Sequence, residues 1–255
     1  MPARRQGLPL LPSSPFRPHA AARPSLPKIR FVRHGQGVHN VAATKLGHGC
    51  TCRHGMTQEG TVCPYLDSAL TDAALTDEGK AQALGARLQK DGGWPEVVFT
   101  STLQRAAQTA TIAFGEGRER EGKGDPKPVP RFVALEELRE QAGVHHCDRR
   151  RPLADIKKQF PKVDFSRVAE EKDVLWHSEI RETKLQLAER GLQALKLIAA
   201  EPATDVAVVT HSSFLLTLFN VVLDLSASPE LGQWFATGEC RPVVVALGPQ
   251  AAKPE

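Results

Sequence analysis

The chain reads as an α/β protein with a mostly parallel central sheet, helices on both faces and Rossmann-like layering. Three observations predict this. Short β-branched runs recur at 29–32, 96–100, 131–135 and 206–210. Stretches of helical apolar period lie between them, the pattern of parallel strands joined by right-handed crossovers. The 255 residues, 41% of them hydrophobic, suffice for one large domain that buries a core without staples.

Residues 1–27 stand apart. They hold Arg4, Arg5, Arg17 and Arg23, seven of the 19 prolines and no acidic residue. Repeated Pro blocks both helix and ladder, so the segment reads as a disordered tail, with an Arg-rich transit segment as the alternative. A single domain spans 28–250. Its first strand, at 29–32, leads into Arg33-His34-Gly35. Residues 44–64, rich in Gly, Cys and His, read as a loop or insertion. Thr76 caps a helix with Asp77 and Glu78 in its first turn and Ala81, Leu84 and Leu88 as its apolar face; Asp91-Gly92-Gly93 stops it. After the strand at 96–100, Ser101-Thr-Leu-Gln104 is a capping box for a helix to about 114. A solvated connection at 115–130 precedes the strand at 131–135. Residues 136–178 are a charged cap region with a short helix near 152–159. A long helix covers 179–200, with Leu185, Leu192, Leu195 and Ile198 on its apolar side, and 201–205 turn into the strand at 206–210. A helix at 214–222 and a strand at 242–247 complete the domain.

Charge and composition narrow the function. The 33 Lys+Arg against 29 Asp+Glu give only +4, and aromatics are 5%. Neither a basic arm nor a base-stacking platform is present, so no nucleic-acid partner is expected. Residues 206–223 lack Asp, Glu, Lys and Arg over about the length of a membrane span. Thr210, His211, Ser212, Ser213 and Asn220 interrupt them, so a strand, a polar turn and a helix fit better. The expectation is a soluble protein without membrane contact. Cys50, Cys52, Cys63, Cys147 and Cys240 are an odd number for a secreted framework. They read as reduced thiols in a cytoplasmic protein, or an organellar one if residues 1–27 are a transit segment. Cys50, Cys52, His54 and Cys63 have the types of zinc ligands without the spacing of a familiar site, so no metal is expected.

Three polar clusters each follow an apolar strand: Arg33-His34-Gly35, residues 101–105, and His211-Ser212. In a parallel sheet all three reach the C-terminal edge, where ligands bind. A second Arg53-His54-Gly55 follows no strand. Two histidines and two arginines in one pocket suit phosphoryl transfer. A neutral imidazole is a nucleophile near pH 7, and planar guanidiniums match phosphate oxygens. Preplaced cations meet the charge that builds in the transition state. Arg105, in the first turn of its helix, shares that place with free backbone N–H groups.

The segment Phe31-Val-Arg-His-Gly-Gln-Gly-Val-His-Asn40 resembles the signature of the histidine phosphatase superfamily, in its phosphoglycerate mutase-like branch. The resemblance continues in Leu75-Thr-x-x-Gly79-x-x-Gln82, in residues 99–109 and in Val208-Val-Thr-His-Ser212. Residues 138–151 and 160–165 are similar to a plant, algal and fungal phosphoglycerate mutase-like subgroup. The resemblance implies a phosphoglycerate mutase-like fold. It also implies His34 as nucleophile, a phosphate pocket completed by Arg33, Arg105 and His211, and Asn40 as a phosphate contact. Gly35, Gln36, Ser101 and Ser212 join it as substrate-binding candidates. A general acid is implied after the third strand; Glu136, Glu137 and Glu140 qualify, and Gly143 after Glu140 favours that one. The implied activity is a phosphoric monoester hydrolase of the histidine acid phosphatase type, acting on a small phosphorylated substrate without cofactor. The longer signatures of cofactor-dependent mutases are missing, which puts phosphatase ahead of mutase. Gln36-Gly37 replaces the usual acid–small pair and keeps a catalytically weak phospho-ligand or partner binder in view. Arg139, Arg149, Arg150, Arg151, Lys157 and Lys158 fall in the cap, as a grip for further anionic groups or as a solvated basic face.

Overall fold

The computed structural model describes residues 28–46, 63–87, 94–116 and 128–245. In chain order the elements are β1 (Lys28–Arg33), α1 (Val38–Leu46), α2 (Asp77–Arg87), β2 (Val97–Ser101), α3 (Gln104–Phe114) and β3 (Arg131–Leu135). Then come α4 (Leu153–Gln159), β4 (Val163–Asp164), α5 (Lys184–Ala199), β5 (Asp205–Thr210), α6 (Ser212–Thr217) and β6 (Cys240–Val244). Among the described residues the sheet has six strands in the order β4-β3-β2-β5-β1-β6. All pairs are parallel except β1–β6. The α/β class and its mostly parallel sheet therefore stand.

The strands are apolar on both faces because both are covered. Val32, Val98, Ala134, Ala207 and Val209 join α2, α3 and α4 in one core. Their alternating neighbours Phe31, Phe99, Val133, Val206 and Val208 join α5 and α6 in the other. Arg30 sits buried in β1 and pairs with Asp205 across the sheet.

Several local expectations are corrected. Helix α1 extends through Leu46, into the stretch read as a loop. Thr76 caps α2 as expected, accepting from Gly79 N at 3.0 Å, but the buried face is Gly79, Ala83 and Ala86. Ala81 and Leu84 are exposed, because the tight contact of Gly79 with the loop after β1 sets the rotation of the helix. The capping box at Ser101 does not form. Leu103 is the cap residue, Ser101 Oγ turns to His211, and the Gln104 side chain goes to Asp72 O. The capping box belongs instead to α5, between Thr183 and Gln186. That helix starts at Lys184 and leaves Leu185 and Leu192 exposed, burying Leu187, Ala188, Gly191 and Ala194 beside Leu195 and Ile198. The segment after α6 is a π-helix at Leu218–Val222. Strand β6 begins two residues early and runs antiparallel.

Cys63 is disulfide-bonded, against the expectation of five reduced thiols. Cys147 and Cys240 are free and buried. The tail, Cys50, Cys52, Arg53-His54-Gly55, Leu88 and residues 91–93 lie outside the described residues. Among the described residues no group of His, Cys, Asp and Glu forms a metal cluster. None of their helices is long and apolar enough to cross a membrane.

Candidate active site

Four segments meet at the C-terminal edge of the sheet. β1 brings Arg33 and His34, β2 and the first turn of α3 bring Ser101 and Arg105, the chain after β3 brings Glu140, and β5 brings His211. The His34 amide donates to Thr210 O at 2.9 Å, which ties the loop after β1 to the end of β5. A cavity of about 190 Å³ opens there, lined by Arg33, His34, Arg105, Glu140, Asn40 and Ser212 among others.

The loop carrying His34 is held from behind. Gly35 packs so close to α2 that a Cβ would stand 2.1 Å from Gly79 O, and a Cβ on Gly79 would stand 2.1 Å from Gln36 O. Gly35 N donates to Thr109 Oγ1 and Gln36 N to Gln82 Oε1. Thr76 donates to the Gln36 side chain at 2.8 Å. Gly35 and Gln36, expected as substrate ligands, are spent on this support and do not line the cavity. Ser101 is also withdrawn from it and meets His211 Nε2 at 2.8 Å. Asn40 and Ser212 do face it; Asn40 Oδ1 accepts from Gly37 N at 2.8 Å.

His34 Nδ1 lies 2.7 Å from Gly35 O. A carbonyl only accepts, so Nδ1 carries the proton and Nε2 keeps its lone pair. Arg105 Nε donates to that Nε2 at 3.2 Å. Burial, then the charge of Arg105, hold His34 well below the usual imidazole value, with His211, Arg33 and His39 adding to the effect. The nucleophile candidate is a neutral imidazole whose Nε2 lone pair accepts the hydrogen bond of Arg105. His211 lies 5.0 Å from it, ring to ring, and is held neutral by the same two main causes. Its Nδ1 and the Nε of Arg33 are buried without partners.

Glu140 lies at the start of α6. Its oxygens accept from Gln141 N, Phe214 N and Ser213 N, each at 3.0 Å, and from Ser212 Oγ at 3.2 Å. Glu136 turns to Arg139 and Arg150 instead, and neither it nor Glu137 lines the cavity.

Several lining residues carried no assigned role in the sequence. Asp148, buried, receives Arg105 at 2.9 Å and Arg181 at 3.0 Å. Burial pushes its carboxyl up, but the neighbouring His145 ring, 3.7 Å away, and the charges of Arg181 and Arg105 hold it well below the carboxylate range. Cys147 also lines the cavity, but burial and Asp148 push its thiol up, so it is a poor nucleophile. His39, His145 and Asp148 fall inside the segments 31–40 and 138–151 that resemble the family signatures. Tyr65, Arg181 and Trp234 had no such signal.

The cap arginines are not an open grip. Arg139 is fully buried, its fork on Asp173 and its Nη1 on Glu136 at 3.0 Å. Arg150 pairs with Glu136, and Arg151 with Asp72. Arg149 stacks on Trp176, its guanidinium carbon 4.9 Å from the ring centre. Lys157 and Lys158 are exposed on α4.

Comparison with known proteins agrees on the lineage. The profile described as histidine phosphatase superfamily (branch 1) matches residues 50–249. "Phosphoglycerate mutase-like protein 1" of Arabidopsis thaliana is 31% identical over 85% of this chain and 80% of its own length. A second Arabidopsis "phosphoglycerate mutase-like protein" is 33% identical over 73% and 71%. A "probable phosphoglycerate mutase" of Arthroderma benhamiae is 30% identical over 93% and 68%. Among solved structures, a mycobacterial glucosyl-3-phosphoglycerate phosphatase aligns over 85% of this chain and 92% of that one, at 21% identity and a TM-score of 0.47. The chain belongs to branch 1 of the histidine phosphatase superfamily.

Proposed function

We propose that the protein hydrolyses a phosphomonoester of a small metabolite through a phosphohistidine on His34. The observation that carries this reading is the pair of contacts at that imidazole, Nδ1 locked on Gly35 O and Nε2 facing Arg105. Nε2 attacks phosphorus in line once Arg105 Nε, which donates to it at rest, turns to the equatorial oxygens that Arg33 also neutralises. Arg33 Nε, buried without a partner, is a further donor for those oxygens. The P–O bond to the leaving group breaks and that oxygen takes a proton, for which Glu140 is the candidate. Donation requires Glu140 to give up one of its four accepted hydrogen bonds, and Ser212, a hydroxyl able to turn, is the one that can change. Water then attacks the phosphohistidine, releasing phosphate and restoring the imidazole.

The test is phosphate release from an aryl phosphate by the wild type and by His34→Ala, with trapping of an acid-labile phosphoenzyme. Loss of both in the variant supports the reading; turnover near wild type in His34→Ala overturns it. Glu140→Gln separates the acid: its penalty should be far larger for an alkyl phosphate than for an aryl one, because only the poor leaving group needs the proton. Isomerisation of a phosphorylated acid without phosphate release would establish a mutase instead.

A further inference from the structure

The Gln36-Gly37 pair, unusual for the family signature, has a structural counterpart in His39. A Cβ on Gly37 would stand 2.5 Å from both Nδ1 and Cε1 of the His39 ring. A Cβ there would force the imidazole from its seat, in which the ring is buried and lines the same cavity as His34. The two rings lie 5.7 Å apart, centre to centre, and Tyr65 stands 5.7 Å beyond His39.

The proton on His39 can be placed by the same reasoning used for His34. Burial, then the charge of Arg105, keep the ring neutral, so one nitrogen bears hydrogen and the other a lone pair. Nδ1 is sealed against Gly37 with no partner. A proton there would be a buried N–H without acceptor, the costlier arrangement. The hydrogen therefore belongs on Nε2, the nitrogen left for the cavity. His34 and His39 thus stand side by side in opposite tautomers, one offering a lone pair and the other an N–H.

We propose that His39 is a further catalytic residue, donating from Nε2 to an oxygen of the transferring phosphoryl group, and that Gly37 is present to seat it. The inference rests on the phosphohistidine reading above and adds a neutral donor to its cationic ones. A neutral donor fits a site that already holds Arg33 and Arg105, since it binds an oxygen without raising the cost of packing like charges. It favours the transition state, in which the equatorial oxygens gather charge.

Binding of orthovanadate and of inorganic phosphate to the full chain, by calorimetry, tests it alongside aryl phosphate turnover. His39→Leu keeps an apolar ring-sized group and removes the donor; His39→Gln restores an amide N–H near Nε2. The expected result is a 10–100-fold loss of vanadate affinity and of kcat in His39→Leu, a smaller loss for phosphate, and substantial recovery in His39→Gln. Gly37→Ala should reproduce the His39→Leu loss, and the double variant should add little to either, since both act on one ring. Unchanged vanadate affinity in a folded His39→Leu, no vanadate binding by the wild type, or equal losses in Leu and Gln variants would overturn it. If His34→Ala is inactive while His39→Leu turns over normally, this inference fails alone; an active His34→Ala instead sinks the phosphohistidine reading.

Discussion

Arg105 donates through Nε to Nε2 of His34 at 3.2 Å while its two other nitrogens hold Cys147 O at 2.6 Å and Asp148 at 2.9 Å. One planar fork thus fixes the His34 ring, the cap segment and a buried carboxylate together. A lysine ammonium cannot present those three donors in one plane. Arg105→Lys should lower kcat/KM for an aryl phosphate by roughly 10²–10³-fold. A variant within threefold of wild type would show that the charge alone suffices.

Acid should weaken the fold more steeply than usual. His34, His39 and His211 are all held well below 6.5, first by burial and then by the charge of Arg105. Folded, they stay neutral; unfolded, they take protons near 6.5. The unfolded state therefore binds more protons as pH falls, and stability drops with pH below 6.5 through all three imidazoles. The loss ends only below their folded values. Asp72, raised by burial, acts with the opposite sign toward pH 4 and offsets part of it. Melting temperature should be level above pH 7.5 and decline steadily from 6.5 to 5, while the acid limb of kcat/KM lies below 6.5. A melting temperature flat from pH 7 to 5 contradicts the assignment.

The family profile matches from residue 50 onward, so it takes in Arg53-His54-Gly55 and leaves out Arg33-His34-Gly35. Geometry favours the first tripeptide, which ends the sheet strand next to β5 and touches Arg105. His54→Ala should keep turnover within about twofold of wild type, the size expected of a residue outside the reacting pocket. If turnover is instead lost in His54→Ala and kept in His34→Ala, the second tripeptide is the reactive one.

Two glycines of α2 should respond in opposite directions. At Gly79 a Cβ meets backbone of the loop that carries His34 at 2.1 Å, while at Gly85 it meets nothing within 4 Å. Gly79→Ala should cost about 1–3 kcal/mol and lower the melting temperature by roughly 3–10 °C. Gly85→Ala should add about 0.5–1 kcal/mol, since Ala loses less freedom in a helix. Similar thermal scans for the two variants would contradict the close packing under His34.

The strand runs were legible because both sheet faces are covered, so β1, β2, β3 and β5 are nearly all buried and each carries three or four apolar residues that stand out by composition. Strand β4, two residues long, has too little pattern to see. Helix faces were misjudged where rotation is set by a partner. On α2 the close approach of Gly79 to the β1 loop outweighs the larger side chain of Leu84, which faces out. Ser101 reads as a cap by spacing, but His211 lies 110 residues away in the chain and 2.8 Å away in space, and it takes that hydroxyl.

The sequence by itself determined the fold class and, through the resemblance of its motifs, the family; it also put forward Arg33, His34, Arg105 and His211 as site candidates, because short motifs after apolar strands must reach one edge of a parallel sheet. Tertiary structure alone decided which neighbours complete the cavity. Asp148, Arg181, Tyr65 and His145 come from irregular segments whose course follows no local period. It also decided that the cap arginines serve buried carboxylates, and that Gly35 and Gln36 support the loop behind His34. A buried charge or amide takes whichever partner packing brings within about 3 Å, and chain separation leaves no mark of that in the sequence.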